Sequence, residues 1–158
     1  MKLLRLLPLV LLLLLVGGCA EEDDDEFVIE YPSETDQGLP FSDAVRVGNM
    51  LYLSGAIGVL PGSLDLAEGG IQGQSRQAMD NIKATLEKYG SSMEEIVKCT
   101  VMIDDISEWG AFNDVYVTYF PGHKPARSAF GADGLALGAA VEVECFATLS
   151  ANEEDDDD

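Results

Sequence analysis

The segment "AAVEVECFATL" (residues 139–149) carries the alternation that decides the fold class. In an extended chain, Cys145 falls on the same side as the two valines, whereas Glu142 and Glu144 fall on the other side. Phe146 shares the side of the glutamates, so we expect that side to be partly buried as well. The pattern predicts a strand near the end of the folded domain.

Three earlier segments also have the composition of strands. The segment "AVRVGNMLYLSGAIG" (residues 44–58) predicts two strands joined at Gly48-Asn49, because both residue types tolerate the positive φ of a tight hairpin. The segments "IVKCTVMIDD" (residues 96–105) and "ARSAFGA" (residues 126–132) each predict one further strand.

Two stretches between these strands have apolar residues at helical spacing. Residues 71–89 predict a helix that Gly90 ends. Ser107 is expected to cap a second helix, which ends at Pro121-Gly122. The apolar stripe of this second helix is interpreted as core and consists of Phe112, Val115, Tyr116, Tyr119 and Phe120.

The predicted order of elements is β-β-α-β-α-β-β, which indicates a single α+β domain. Helices that connect strands imply crossovers, so we expect a mixed sheet with both helices on one face. The other face of the sheet is then not covered by the chain itself. Because an apolar face must be buried somewhere, self-association is the simplest way to cover it.

The first 20 residues, "MKLLRLLPLVLLLLLVGGCA", predict a signal peptide. Lys2 and Arg5 precede an apolar run over residues 6–16, which is shorter than the roughly 20 residues of a spanning helix. The run ends in "VGGC", which resembles the lipobox of bacterial lipoproteins and implies cleavage before Cys19 and attachment of lipid to it. We therefore expect an exported protein anchored at the bacterial cell envelope, with a signal peptide over residues 1–18. An ordinary signal peptide with an incidental cysteine is the alternative.

Acidic runs flank the folded part of the chain. Residues 19–26 are interpreted as the lipidated cysteine and an acidic tether, residues 27–151 as the folded domain, and residues 152–158 as a disordered acidic tail. Each run carries six of the 29 acidic residues, which leaves 17 acidic against seven basic residues in the domain. This balance argues against nucleic acid as a partner, because nucleic acid requires a positive surface. Weak calcium binding or a sorting signal are alternatives for the tails.

The two remaining cysteines, Cys99 and Cys145, fall on apolar strand faces. Buried thiols that pack as small apolar groups are the default expectation, and a disulfide in an exported protein is the alternative. The chain has one histidine and no CxxC pair, so nothing in the sequence suggests a zinc site.

The charged residues near the end of the domain are the candidates for chemistry. A nearby cation would stabilise the carboxylate of a partly buried Glu142 or Glu144. Arg127 on the preceding strand is the obvious candidate for that cation. The plainest interpretation is a structural Arg–Glu pair within the chain.

Several segments of the chain together resemble the RidA (YjgF) family. They are residues 44–58, residues 74–130 and the final strand, so that the resemblance spans about residues 38–149. The most specific element is Pro125-Ala126-Arg127-Ser128, followed by Glu142 at the family's spacing of 15 positions after the arginine. The resemblance implies a chorismate-mutase-like fold, a homotrimer with active sites between subunits, and hydrolysis of 2-imino acids to 2-keto acids and ammonia.

The resemblance also implies roles for individual residues. Arg127 would bind the substrate carboxylate and Glu142 would activate or hold water, whereas backbone at Ser54-Gly55 and Ala129 would line the pocket. The remaining substrate-binding candidates are Phe41 and Asn113. An imine is already electrophilic, so no metal or organic cofactor is expected. The expected enzyme is a hydrolase acting on C=N bonds, of the 2-iminobutanoate/2-iminopropanoate deaminase type.

The chain departs from the family pattern at several lining positions. Phe41 replaces a tyrosine, Asp43 and Ala56 each replace a glutamine, Ala129 replaces a frequent cysteine, and Asp133 is also atypical. These departures put the substrate range in doubt. They favour, as an alternative, a trimer of the same fold that binds small metabolites without turnover, and a structural protein of the envelope is a third hypothesis. The endoribonuclease activity sometimes attached to the family's name is disfavoured by the acidic charge.

Overall fold

The computed structural model describes residues 28–32 and 40–149. The predicted signal peptide, Cys19, most of the acidic tether and the acidic tail lie outside the described residues. The described part contains seven strands and two α-helices: β1 (Ile29–Glu30), β2 (Ala44–Val47), β3 (Met50–Leu53), β4 (Ala56–Ile57), α1 (Gly70–Lys88), β5 (Ile96–Ile103), α2 (Trp109–Tyr116), β6 (Ala126–Gly131) and β7 (Val141–Thr148).

The predicted hairpin over residues 44–58 is confirmed. Strands β2 and β3 are antiparallel, and Val47 pairs with Met50 across a two-residue turn. Gly48 has a φ of 57°, whereas Asn49 does not have positive φ. The turn therefore depends on the glycine at its first position. The second predicted strand divides in two, because β3 ends at Leu53 and β4 begins at Ala56.

One mixed sheet contains all seven described strands, in the order β1-β2-β3-β7-β5-β6, with β4 also paired to β7. Only β5 and β6 run parallel, and the other pairs are antiparallel. The two closing strands β6 and β7 are consecutive in sequence but not neighbours, because β5 lies between them. This order sets the positions of the candidate site residues.

Helix α1 matches the predicted amphipathic segment. Its core-facing side is buried, and Gly90 follows its end with a φ of 78°. The buried residues of α1 are Ile71, Ser75, Ala78, Met79, Ile82 and Leu86.

The predicted cap of the second helix is wrong in its residue. A short 3-10 turn (Ile106–Glu108) precedes α2, and Asp105 caps that turn by accepting a hydrogen bond of 2.9 Å from the backbone N–H of Ser107. An aspartate at the end of a strand competes with the serine two residues later for the same role. The predicted apolar stripe is confirmed as core at Phe112, Val115, Tyr116 and Phe120, whereas Tyr119 is only partly buried. The α-helix ends at Tyr116, before the predicted end at Pro121-Gly122.

Both helices pack on one face of the sheet, as predicted. The helix-facing side of β7 is buried, whereas its other side, with Glu142, Glu144 and Phe146, is only partly buried. Cys99 and Cys145 pair in register on the helix-facing side and form a disulfide. This outcome settles the alternative that the sequence left open. The opposite side, here called the open face, has no layer over it in the part of the chain that the structure describes.

Within residues 28–32 and 40–149, no helix is both long and apolar enough to cross a membrane. Within the same ranges, no three His, Cys, Asp or Glu side chains are grouped so as to hold a metal ion.

Candidate active site

The sheet order places Arg127 and Glu142 on opposite faces of the sheet. Arg127 pairs with Cys99, and Cys99 pairs with Cys145 on the helix-facing side. Glu142 pairs with Met102, one position out of phase with the buried valines of β7, and therefore lies on the open face. Cross-strand partners point to the same side of a sheet, so the arginine and the glutamate of one chain cannot meet.

The predicted Arg–Glu pair within the chain is therefore wrong. Among the described residues no carboxylate forms an ion pair with Arg127, and neither Glu142 nor Glu144 has a cationic partner. The prediction assumed that consecutive strands are neighbours, and β5 separates them. The candidate site thus consists of two separate groups of residues.

The first group, here called the glutamate half-site, consists of Glu142, Gly55 and Ile57. Glu142 pairs with Ile57 across β7 and β4. A Cβ atom on Gly55 would collide with Oε1 of Glu142, so the carboxylate lies directly against the backbone where a side chain would otherwise stand. Only glycine permits this approach. Glu144, in contrast, lies further along β7 opposite Thr100.

Ser54 and Phe41 lie beside the glutamate half-site. The hydroxyl of Ser54 donates a 2.7 Å hydrogen bond to the carbonyl of Ser42, and its N–H donates to the carbonyl of Asp43 at 2.9 Å. These bonds fix the segment that carries Phe41, whose side chain is exposed. The Ser54 hydroxyl is thus used structurally, while the Phe41 ring is available for contact.

Asp43 holds the same segment to the end of α1. Its Oδ2 accepts hydrogen bonds from Nζ of Lys88 and from the hydroxyl of Tyr89, each at 3.3 Å. The departure from the family pattern at this position therefore has a local structural role. Ala56, the other glutamine position, pairs with Val143 and packs against the core.

The second group, here called the arginine half-site, consists of Arg127, Tyr116, Phe112 and Asn113. The guanidinium carbon of Arg127 lies 4.6 Å from the ring centroid of Tyr116 and 5.6 Å from that of Phe112. Such stacking is favourable and orients the planar guanidinium while leaving its N–H groups free to donate. Ala129 follows on the same side of β6 and packs against the core.

Helix α2, which carries Phe112 and Tyr116, also holds two buried polar atoms. Oδ1 of Asn113 and the hydroxyl of Tyr116 have no hydrogen-bond partner among the described residues. Burial raises the pKa of Tyr116, and the nearby positive charge of Arg127 partly opposes this shift. The phenol therefore remains protonated at neutral pH. Buried polar groups without partners are costly, and here they fit a site that binds a polar ligand.

The structure thus places the predicted residues in two sets. Glu142, Gly55, Ser54 and Phe41 lie together on one side, whereas Arg127, Asn113 and Ala129 lie on the other. Cys19 lies outside the described residues. Sequence reasoning treated Tyr116 and Phe112 as core only, and it missed their stacking against Arg127. The spacing of an apolar stripe gives no sign that a distant arginine stacks on it.

Comparisons with known proteins agree with the fold and the motifs. The family model described as endoribonuclease L-PSP matches residues 33–149. The solved structure of RidA from an Antarctic Psychrobacter has a TM-score of 0.67 and 36% identity to this chain, and the match covers 70% of this chain and 89% of that one. The chorismate-mutase-like mixed sheet with two helices predicted from the sequence is therefore confirmed as the RidA-type fold.

Two relatives have names that state an activity. The 2-iminobutanoate/2-iminopropanoate deaminase of Mus musculus is 38% identical over 108 residues, which is 68% of this chain and 80% of that protein. Reactive Intermediate Deaminase A of Arabidopsis thaliana is 34% identical over 110 residues, and the match spans 59% of that protein's length. The matched family model and these identities show that the chain belongs to the endoribonuclease L-PSP family, the RidA family that its motifs resemble.

Proposed function

We propose that this protein hydrolyses 2-imino acids to 2-keto acids and ammonia, at sites built from two copies of the chain. Each site would combine the glutamate half-site of one copy with the arginine half-site of another. The observation that carries the proposal is that Arg127 and Glu142, which have no ion-pair partner among the described residues, lie on opposite faces of one sheet. The names of the mouse and Arabidopsis relatives support the same reaction.

The placement of the half-sites also favours a ring of copies. When two different surfaces of identical copies meet, the contact is head-to-tail, and such contacts form a ring when the rotation between copies closes. The open face supplies apolar area for such a contact, since the tilted rings of Tyr52 and Phe146 lie there with centroids 5.0 Å apart. A homotrimer, as the family resemblance implies, is the arrangement that we propose.

Arg127 would bind the substrate through its carboxylate. A planar guanidinium donates two parallel hydrogen bonds to a carboxylate, which a lysine cannot reproduce. The rings of Tyr116 and Phe112 hold the guanidinium in place before substrate arrives, so that little side-chain entropy is lost on binding. Asn113 and Tyr116 could then hydrogen-bond to the ligand.

Glu142 would deliver water to the imine carbon. As a carboxylate, it takes a proton from water while the water oxygen bonds to that carbon and the C=N π electrons move to nitrogen. Glu142 returns this proton to nitrogen, which gives a carbinolamine. It then takes the proton of the carbinolamine hydroxyl and passes it to nitrogen as the C=O bond forms and the C–N bond breaks, so that ammonia leaves and the 2-keto acid remains. The imine is itself electrophilic, so this sequence requires only water and the two side chains.

An assay with enzymatically generated imine tests the proposal. An amino-acid oxidase acting on L-alanine or L-2-aminobutyrate produces 2-iminopropanoate or 2-iminobutanoate, and semicarbazide traps what is not hydrolysed. The full chain in detergent should suppress semicarbazone formation, and the Arg127→Ala variant should not. Equal behaviour of the two proteins would overturn the proposed function.

A trimer that binds small carboxylates without turnover is the second candidate. The altered lining at Phe41 and Ala56 favours it, because the family's tyrosine hydroxyl and glutamine amide are both absent from these positions. Two results together would identify this second candidate. Calorimetry should show binding of a 2-keto acid that is lost in Arg127→Ala, and the wild-type protein should fail to suppress semicarbazone formation.

We also propose an exported, lipid-anchored location. The buried disulfide between Cys99 and Cys145 supports it, because disulfides persist in oxidising compartments outside the cytosol. The lipobox-like sequence before Cys19 supports it independently. Intact-mass measurement of protein extracted from bacterial membranes should show acyl groups on Cys19, and a mass without them would refute the anchor.

A further inference from the structure

An apolar groove begins at the glutamate half-site and extends away from it. Its volume is about 860 Å³, and Gly55 and Ile57 belong to both the groove and the half-site. The other apolar residues that shape it include Phe41, Leu60, Leu64 and Leu137. All four are exposed, which is unusual for large apolar side chains that lie together.

No charged side chain lines the groove. Its polar side chains are Ser63 and Asn81, and the Asn81 amide already donates to the carbonyls of Ile57 and Val59 at 3.1 and 2.9 Å. In a chain with a net charge of −20, this is a neutral and apolar surface. A carboxylate in the groove would have no charged partner to offset its loss of hydration. The groove therefore suits the uncharged part of a ligand whose charged part binds elsewhere.

Leu137 at the rim has a backbone conformation that core packing does not explain. Its φ is 57°, and it is the only residue other than glycine with positive φ in the described ranges. This conformation costs a leucine roughly 1 kcal/mol, and yet its side chain is 56% exposed. Strained residues of this kind are concentrated at ligand sites.

From this geometry we propose that the groove binds the side chain of the substrate, so that the preferred substrates are 2-imino acids with large apolar side chains, branched or aromatic. The inference rests on the proposed function, because it uses Glu142 as the group beside the reacting carbon. The Glu142 carboxylate lies against Gly55, which belongs to the groove, and the apolar walls of the groove include Ile57, Leu64 and Leu137.

A series of imines of increasing size tests the inference. L-amino-acid oxidase generates the imines of alanine, leucine and phenylalanine, and semicarbazide trapping gives kcat/KM for each with the full chain. The leucine-derived imine should exceed the alanine-derived imine by about tenfold, at the low end of what apolar pockets discriminate because the groove is open on one side.

Variants in and outside the groove localise the effect. Leu137→Gly should reduce kcat/KM for the leucine-derived imine by roughly fivefold, in line with loss of the apolar contact that one side chain makes with the ligand. It should reduce kcat/KM for the alanine-derived imine by a smaller factor, so that the ratio of the two values falls. Glycine adopts positive φ readily, so this variant should fold at least as well as the wild type. Ile106→Ala removes an exposed apolar side chain elsewhere and should change neither value.

Binding of the corresponding 2-keto acids, measured by calorimetry, separates the two ways to fail. Absence of turnover for every imine would overturn the proposed function. If all the imines are hydrolysed with similar kcat/KM, and the alanine-derived and leucine-derived keto acids bind with equal affinity, the groove assignment alone would be overturned. Such similar kcat/KM values would result if a second copy or another part of the chain covered the groove.

Discussion

The glutamate half-site and the arginine half-site are positioned by opposite means. The carboxylate of Glu142 lies close to the backbone because Gly55 has no side chain to occupy that space. The guanidinium of Arg127 is instead positioned by the large side chains of Tyr116 and Phe112, which stack against it. One half-site lies on the open face of the sheet and the other on the helix-facing side.

Under the proposed function, this difference means that one chain by itself lacks a complete site. Each half-site holds a charged group in a defined place without an opposite charge from the described part of the same chain. In the proposed assembly, contact between unlike faces of two copies brings the two charges together. Substitutions in the two half-sites should therefore have different effects on activity.

The largest loss is expected at the catalytic carboxylate. Glu142→Gln should lower kcat roughly a thousandfold with little change in KM, because general-base catalysis typically contributes 10²–10⁴-fold. Glu144→Gln is the matched control on the same face of β7 and should stay within a few-fold of the wild type. Comparable losses in the semicarbazide assay for both variants would mean that Glu142 has no special role.

A single methyl group should reveal how closely the carboxylate approaches the backbone. Gly55→Ala places a Cβ where Oε1 of Glu142 lies and should lower kcat/KM by about 100-fold, as expected for misplacement of a catalytic group by about 1 Å. The control is Gly110→Ala in α2, where nothing lies within 4 Å of the added atom. It should retain activity and raise the free energy of unfolding by roughly 0.5–1 kcal/mol, because alanine favours helix. Full activity of Gly55→Ala would contradict the described approach.

A smaller effect is expected at the aromatic support of the arginine. Tyr116→Leu should raise KM about tenfold through loss of up to about 2 kcal/mol of cation–π stacking. Tyr116→Phe keeps the ring and removes only the hydroxyl, so it should raise KM less than Tyr116→Leu does. Thermal unfolding distinguishes a stacking effect from simple destabilisation, and an unchanged KM in a folded Tyr116→Leu protein would refute the supporting role.

Local elements of the fold could be predicted from sequence because local patterns specify them. The alternation in β7, the helical spacing in α1 and the glycines at positions 48 and 90 each correspond to an observed element. The order of the strands has no such local signature, and the position of β5 between β6 and β7 overturned the expected Arg–Glu pair. The cap at Asp105 instead of Ser107 shows that even a local rule fails when two suitable residues compete.

The candidate site was predictable only in part for the same reason. The motif around Arg127 and its spacing to Glu142 identified both charged residues, but spacing along the chain does not indicate which face of a sheet a residue occupies. The stacking on Tyr116, the approach to Gly55 and the apolar groove all depend on contacts between segments far apart in sequence. Such contacts become visible only once the strands are assembled.

Complementation between two inactive variants tests most directly whether the site spans two copies. Chains with Arg127→Ala and chains with Glu142→Gln, each inactive alone, are co-expressed with different tags, and mixed assemblies are purified through both tags. In a head-to-tail trimer of mixed composition, one junction of the three unites an intact Glu142 with an intact Arg127, so activity should return to about one third of the wild type. Mixed assemblies that remain as inactive as the single variants would contradict a site shared between copies.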